Sequence, residues 1–224
     1  MNRGPGLVEV IGKFGSRARS HPSLAFPSSA GYIAAVILAG DVGGTKTRLA
    51  LYAHGGDPRS PVLEHRAPSR DFATFDALVL SFLHTAAAGG ARVEIERAAF
   101  GIAGPVVDNR SETTNLPWSL DGAALGSLLD GADATLMNDL EATGWGVPLL
   151  RESELETLQP GTPAHGNRAL IAAGTGLGEG IMVWSGAGWK PSSSGYSITS
   201  APTGARCRND QSLIHIFHSS PERS

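Results

Sequence analysis

The pattern of apolar and polar positions along the chain predicts short strands and helices. Residues 32–39 carry no charge and form too short a run for a membrane helix, which is typical of a strand buried on both faces. A glycine turn follows, and residues 48–52 predict the strand that returns from it. Apolar side chains between residues 75 and 83 recur at helical spacing and predict one apolar helix face. These elements favour an α/β fold.

Further apolar runs predict strands at residues 61–67, 97–103 and 134–137. The second of these runs ends at a Gly104-Pro105 turn, and a helix is predicted to start near Glu141. Residues 181–184 follow another glycine-dense turn and predict the outer strand of a second hairpin. In an open α/β sheet, ligands bind at the carboxyl ends of the strands. We therefore expect the residues that follow these strands to face a bound ligand.

The turn between the first two strands combines residue types that bind phosphate. Gly43 and Gly44 lack a Cβ, which allows a sharp turn and brings backbone N–H groups within reach of phosphate oxygens. Thr45 and Lys46 add a hydroxyl and a cation, and Asp41 adds a carboxylate that suits a magnesium ion carried by a nucleotide. An ordinary glycine hairpin is the alternative interpretation of this turn, and equally of the second one.

Two familiar nucleotide-binding motifs do not fit these turns. Residues 40–47 nearly match a P-loop, but Thr45 occupies the position of its second glycine, and a strand follows where a helix is required. Residues 174–180 have the glycine density of a dinucleotide site, yet a strand again follows. The chain therefore contains two similar units of strand, Gly/Thr turn and strand.

Composition and charge exclude several classes of function. The net charge of −3 argues against a general nucleic-acid-binding protein, which needs a basic surface. The one cysteine, Cys207, permits neither an internal disulfide nor a cysteine zinc site, and the seven histidines show no metal-ligand spacing. No stretch approaches the roughly 20 apolar residues of a membrane span. We expect a cytoplasmic protein with no resident metal site.

Five segments follow one another in a recognisable order. They are Gly40-Asp-Val-Gly-Gly-Thr45, Phe100-Gly-Ile-Ala-Gly-Pro-Val106, Thr114-Asn-Leu-Pro-Trp118, Leu136-Met-Asn-Asp-Leu-Glu-Ala142 and Ala173-Gly-Thr-Gly-Leu-Gly178. Taken together, they resemble the bacterial glucokinase family, which are sugar kinases of the actin-like ATPase superfamily. The resemblance runs from about residue 36 to about residue 195. It implies an α/β, ribonuclease H-like sugar kinase fold with a complete N-terminal domain and a partial second domain.

The resemblance also implies a domain organisation. Residues 32–140 would form the N-terminal α/β domain with the first phosphate loop, and residues 141–204 would start a second α/β domain with the second loop. Residues 1–31 are broken by glycine and proline and predict a loosely ordered leader, for which an organelle address stays open. Residues 205–224 show neither helical periodicity nor a family motif, which indicates a truncation, a reading-frame error or a divergent terminus.

The reaction implied by the resemblance is transfer of the γ-phosphate of ATP, carried with Mg²⁺, to the 6-hydroxyl of glucose. Full-length members of the family commonly form homodimers. The implied general base is Asp139, and the implied sugar contacts are Asn138 and Asn115. The implied ATP-binding residues are Gly40, Asp41, Val42, Gly43, Gly44, Thr45, Gly174, Thr175 and Gly176.

From the residue types alone, Asp139 and Trp118 each have two interpretations. Asp139 follows a predicted strand, where a carboxylate can accept the proton of an attacking hydroxyl, but aspartate also caps helices. Asn138 carries an amide that can orient the same sugar. Trp118 offers a flat apolar surface for a sugar face, but a tryptophan in this context is more often a core residue.

The segment after the second turn departs from the family pattern. The family has a Ser-Glu-Gly-Gly-His segment whose Glu and His hold the sugar, whereas Ser193 and Tyr196 stand at those positions here. Two alternatives to an active kinase therefore stay open, namely a non-catalytic sugar or nucleotide sensor and an inactive fragment. Residues 1–31 argue against the helix-turn-helix that a regulator of the related repressor group would carry.

Overall fold

The computed structural model describes residues 7–10, 32–88, 92–113, 115–159, 166–173, 177–198 and 213–218. The chain divides into two compact units between Asp139 and Leu140. The central unit is Ala18–Asp139, and the split unit combines Met1–Arg17 with Leu140–Ser224.

The secondary structure of the described residues is mixed α/β. The strands are β1 (Leu7–Val10), β2 (Tyr32–Val42), β3 (Lys46–Ala53), β4 (Leu63–Pro68), β5 (Arg92–Ile102), β6 (Arg110–Glu112), β7 (Ser119–Asp121), β8 (Asp133–Asn138), β9 (Glu156–Gln159), β10 (Arg168–Ala173), β11 (Leu177–Trp184), β12 (Trp189–Ile198) and β13 (Leu213–His218). The helices are α1 (Phe75–Ala88), α2 (Gly122–Leu128) and α3 (Asp139–Gly146), with short 3-10 helices at Ser69–Asp71, Val147–Leu149 and Glu152–Glu154.

The central unit is built on a five-stranded sheet in the order β4-β3-β2-β5-β8. Antiparallel pairing of β2 with β3 and of β3 with β4 makes the first three strands a meander. β5 pairs parallel with both β2 and β8, which brings the carboxyl ends of these three strands to one edge. A separate two-stranded sheet joins β6 and β7.

The core of the central unit lies between one face of this sheet and α1. The buried side chains of α1 recur at the predicted spacing and are Phe75, Leu78, Val79, Phe82 and Ala86. Alternate strand residues point to the same side, among them Leu38 and Phe100, which are both fully buried. The rings of Phe75 and Phe100 meet edge to face, with their centroids 5.1 Å apart. The predicted helix is therefore confirmed, together with its buried face.

The split unit contains a six-stranded antiparallel sheet in the order β12-β11-β10-β13-β1-β9. β10 and β11 pair as the predicted second hairpin requires, and its turn residues 174–176 lie outside the described residues. Leu170 and Met182 are buried with Val147 in a small apolar cluster. The guanidinium carbon of Arg168 lies 3.3 Å from the centroid of the Trp189 ring, which is a cation–π contact.

Two strands of this sheet lie in segments for which the sequence predicted no regular structure. Leu7–Val10 and Leu213–His218 pair antiparallel, and they lie in the segments interpreted as a loosely ordered leader and as a truncated, frame-shifted or divergent terminus. The sequence Leu-Ile-His-Ile-Phe-His of β13 is rich in β-branched and aromatic side chains, which favour strands. The remainder of residues 1–31 and 205–224 lies outside the described residues.

Replacing Phe100 with alanine is expected to lower the free energy of unfolding by about 3–5 kcal/mol, because its ring is fully buried against Phe75. Urea unfolding followed by circular dichroism measures this change. Val107→Ala is the control, since Val107 is 67% exposed and its truncation should change stability by less than about 0.5 kcal/mol. An equal loss in the two variants would contradict the placement of Phe100 in the core.

Candidate functional site

The turn between β2 and β3 is closed by a backbone hydrogen bond of 3.2 Å from Gly43 N to Lys46 O. A Cβ at Gly43 would lie 2.9 Å from the same Lys46 oxygen, so a side chain does not fit at this position. Gly43 and Gly44 are half-buried, whereas Thr45 and Lys46 are exposed. The turn therefore presents backbone groups and two polar side chains to solvent, as phosphate binding requires.

Gly40 and Val42 lie in β2 rather than in the turn. A Cβ at Gly40 would lie 2.6 Å from the Phe100 ring and 2.9 Å from Leu49 Cδ2. Val42 is buried and belongs to the core. Both residues therefore serve the packing beneath the turn. Their role in ATP binding stays a prediction.

Asp41 lies on the face of β2 opposite to the core, and the residue is exposed. Arg48 is its partner on β3, and Arg66 is the next residue in the same row on β4. Surrounding protein raises the pKa of the Asp41 carboxyl by desolvation, despite the exposed residue surface, and the charges of Arg48 and Arg66 oppose this shift. Glu64 accepts hydrogen bonds from Arg48 at 2.7 Å and from Arg66 at 3.0 Å. Desolvation is the largest of these effects, so the pKa of Asp41 stays above its ordinary value.

The carboxyl ends of β2, β5 and β8 meet beside the turn. Val42, Ile102 and Asn138 are neighbours in the strand register. The backbone N of Ala103 donates to Val42 O at 3.0 Å, and Asn138 Nδ2 donates to Gly104 O at 2.9 Å. One sheet edge therefore carries the glycine turn, the Gly104 turn and the end of β8 side by side.

Asn138 is half-buried, and Asp139 is exposed as the first residue of α3. Helix α3 begins at Asp139. Asn138 therefore occupies the N-cap position, from which a side chain can cap the helix. The hydrogen bond of Asn138 to Gly104 O fixes the orientation of its amide at the sheet edge. The structure thus places both predicted residues at the carboxyl edge of the sheet, next to the Gly104 turn.

Asn115 and Trp118, which belong to one predicted sugar-contact segment, have different environments. Asn115 is exposed and lies against the glycine turn, since a Cβ at Gly44 would be 3.0 Å from Asn115 Cβ. Trp118 is 1% exposed, and its Nε1 donates to Phe72 O at 3.1 Å. Trp118 is therefore a core residue, and its alternative role as a sugar platform is wrong.

The second predicted phosphate loop, formed by Gly174, Thr175 and Gly176, lies outside the described residues. The strands on either side, β10 and β11, are described and pair with each other. Ser193 and Tyr196, which stand where the family has Glu and His, both lie in β12. Ser193 is the register partner of Gly180 on β11.

The described residues contain no group of three or more His, Cys, Asp or Glu side chains that could hold a metal ion. Across the same part of the chain, no helix has both the length and the apolar character needed to cross a membrane. A Mg²⁺ ion bound to a nucleotide needs fewer protein ligands, because it keeps several waters and takes one or two carboxylates besides phosphate oxygens. The Asp41 carboxylate and the hydroxyl of exposed Thr45, both beside the turn, fit that chemistry.

Sequence reasoning missed two buried hydroxyls beneath the turn. Ser69 Oγ donates to Gly43 O at 2.7 Å and lies 2.9 Å from Thr47 Oγ1. Both residues are at most 1% exposed. Ser69 reaches the turn because β4 pairs with β3, and patterns within one segment do not encode a contact of this kind.

Comparison with known proteins extends the match beyond the five segments. A model of the family Glucokinase matches residues 38–218, which includes β13 in the segment interpreted as an aberrant tail. The glucokinase of Trichormus variabilis is 37% identical over 166 residues, covering 72% of this chain and 48% of that protein. The glucokinase of Synechocystis sp. is 40% identical over 159 residues, covering 67% of this chain and 44% of that protein. The chain thus spans about half the length of the curated relatives it matches.

Solved structures agree with the sequence comparison. The crystal structure of a glucokinase from an Antarctic psychrotroph has a TM-score of 0.58 at 25% identity, covering 71% of this chain and 49% of that chain. The glucokinase of Balamuthia mandrillaris, solved in complex with glucose, has a TM-score of 0.53 at 22% identity, covering 70% and 47%. The fold is the α/β actin-like ATPase fold of sugar kinases, as the resemblance implied. The chain belongs to the glucokinase family.

Proposed function

We propose that this chain carries the phosphate loop and the general base of an ATP-dependent hexose kinase that phosphorylates glucose at its 6-hydroxyl. The observation that carries the proposal is the meeting of the glycine turn, Asn115 and the end of β8 at one sheet edge. Curated relatives that are glucokinases support the reaction and the sugar. Phosphoryl transfer depends mainly on positioning and charge stabilisation, which such an edge can supply.

The phosphates of ATP would bind at the β2–β3 turn. Gly44 and Thr45 offer backbone N–H donors there, and Lys46 adds a cation. When bound with ATP, Mg²⁺ neutralises charge on the phosphate oxygens. The Asp41 carboxylate, together with the Thr45 hydroxyl, would hold that ion. Desolvation of the Asp41 carboxyl strengthens its attraction to a cation, because charges interact more strongly where water is excluded.

Asp139 would act as the general base. Its carboxylate accepts the proton of the glucose 6-hydroxyl while that oxygen bonds to the γ-phosphorus and the bond from phosphorus to the ADP oxygen breaks. Asn138, whose amide is fixed by Gly104, and Asn115, which lies beside the turn, would orient the sugar. The position of Asp139 after β8, at the carboxyl edge of the sheet, and the exposure of this residue support the assignment.

Asp139→Asn is expected to lower kcat for glucose-dependent ADP formation by at least about 100-fold, because general-base catalysis contributes 10²–10⁴ in rate. The assay couples ADP release to NADH oxidation, with purified full chain, ATP, Mg²⁺ and glucose. Asp133→Asn is the matched control, since Asp133 is an exposed carboxylate at the other end of β8. It should retain the wild-type rate.

The control also decides between the alternatives. Equal loss in both Asp variants would show a structural effect rather than loss of a base. Folded wild-type protein without turnover would contradict the proposal that this chain is an active kinase. Calorimetric titration with ATP and glucose would then separate a sensor, which binds at least one of them, from an inert fragment.

Asp41→Asn is expected to stabilise the ligand-free protein slightly and to weaken binding of Mg²⁺-ATP. Desolvation raises the folded pKa of Asp41 above 3.8, so ionisation of the carboxyl costs stability above the folded pKa. This cost disappears as pH falls through the raised pKa toward 3.8. The gain in Tm should therefore be present near pH 7 and shrink toward about pH 4.

Thermal unfolding of Asp41→Asn at these two pH values measures the stability effect, and titration calorimetry with Mg²⁺-ATP measures binding. Asp133→Asn again serves as the control for removal of an exposed carboxylate. A lower Tm of Asp41→Asn near pH 7 would contradict the direction of the pKa shift. Unchanged affinity for Mg²⁺-ATP would remove Asp41 from the ion site.

A further inference from the structure

Ser69 is a buried polar residue that contacts both arms of the β2–β3 turn. Its Oγ donates to Gly43 O at 2.7 Å on one arm, and its backbone N donates to Thr45 O at 3.0 Å on the other. Its Oγ also lies 2.9 Å from Thr47 Oγ1. Ser69 has 0% exposure and starts a 3-10 helix directly after β4. The turn therefore rests on a residue that solvent does not reach.

The number of available protons fixes the direction of these hydrogen bonds. A serine hydroxyl has one proton, and the bond to Gly43 O uses it because a carbonyl oxygen can accept but not donate. The Thr47 hydroxyl must then donate its own proton to Ser69 Oγ. Thr47 thereby restrains the side chain of Ser69, and the two hydroxyls form a chain that ends at a carbonyl of the turn.

The bond to Gly43 O sets the orientation of the peptide that links Gly43 to Gly44. A trans peptide is planar, and its C=O and N–H point in opposite directions. Because Gly43 O points to buried Ser69, the Gly44 N–H points in the opposite direction, away from Ser69. Two successive glycines would otherwise leave this peptide considerable freedom to rotate.

We propose that Ser69 is a positioning residue of the phosphate loop. By holding Gly43 O, it directs the Gly44 N–H to donate to a phosphate oxygen of ATP, although Ser69 itself does not touch the nucleotide. The inference rests on the proposed function of the turn and deepens it by one residue. Loss of the hydroxyl leaves Gly43 O without its buried donor, so the peptide is free to turn and the phosphate loses an oriented donor.

Ser69→Ala in the full chain tests the proposal, with Mg²⁺-ATP as the probe. Titration calorimetry is expected to show an affinity about 5- to 10-fold below that of wild type, the effect of one lost hydrogen bond. In nucleotide-free, ¹⁵N-labelled protein, the Gly44 amide resonance is expected to shift and its exchange with solvent to accelerate. The affinity for glucose should not change, because Ser69 acts on the phosphate donor.

Val79→Ala is the stability control, because Val79 is fully buried on α1 and its truncation removes apolar atoms rather than a hydrogen bond to the turn. It should lower Tm while the ATP affinity and the Gly44 resonance stay at their wild-type values. Wild-type ATP affinity in Ser69→Ala, or a loss that Val79→Ala reproduces at equal Tm, overturns the inference.

Thr47→Val keeps the test decisive if Ser69→Ala does not fold. It removes the hydroxyl that restrains Ser69, so Ser69 Oγ is expected to rotate away from Gly43 O and the Gly43–Gly44 peptide to lose the same restraint. A shifted, faster-exchanging Gly44 amide supports the inference, and an unchanged one overturns it. Failure of the proposed function is distinct, since a folded wild-type chain that does not bind Mg²⁺-ATP overturns both the phosphate role of the turn and the inference built on it.

Discussion

Strand β2 is hydrogen-bonded on both sides, antiparallel to β3 and parallel to β5, and this double pairing determines where the candidate site forms. The antiparallel partner requires a tight turn at the carboxyl end of β2, whereas the parallel partner brings the end of β5 to the same place. β8 continues the parallel set and adds Asn138. A glycine hairpin by itself would be unremarkable, but at the carboxyl edge of parallel strands it stands where α/β proteins bind ligands.

Side chains that bond to the backbone hold this edge in shape. Ser69 holds the carbonyl of Gly43, and Asn138 holds that of Gly104. Asn109 donates to Ala134 O at 2.9 Å and accepts from Leu136 N at 2.7 Å. It thereby satisfies backbone groups along the outer side of β8, the strand that carries Asn138 to this edge. Backbone groups without partners are costly where water is excluded, so these bonds restrict the conformations that the edge can adopt.

Local patterns predicted β2, β3 and α1 because the burial that stabilises each of them repeats within one segment. They did not predict the pairing of β1 with β13, since that pairing joins opposite ends of the chain. The contact of Ser69 with the turn depends in the same way on tertiary pairing. The role of Trp118 could not be predicted from the sequence either, because aromatic residues occur both in cores and in sugar sites. Its burial and its hydrogen bond to Phe72 O identify it as a core residue.

The sheet around Asp41 disfavours an ionised side chain, whereas the proposed ion site at the turn needs a carboxylate. The neighbours of Asp41 across the strands are arginines, yet both are bonded to Glu64, and desolvation keeps the Asp41 pKa raised. A neutral residue would suit the ligand-free sheet better, so the fold does not explain this carboxylate. Local choices that cost stability concentrate at functional sites. A cation delivered with the nucleotide would offset the cost of ionising Asp41, which couples the stability of the turn to its occupancy.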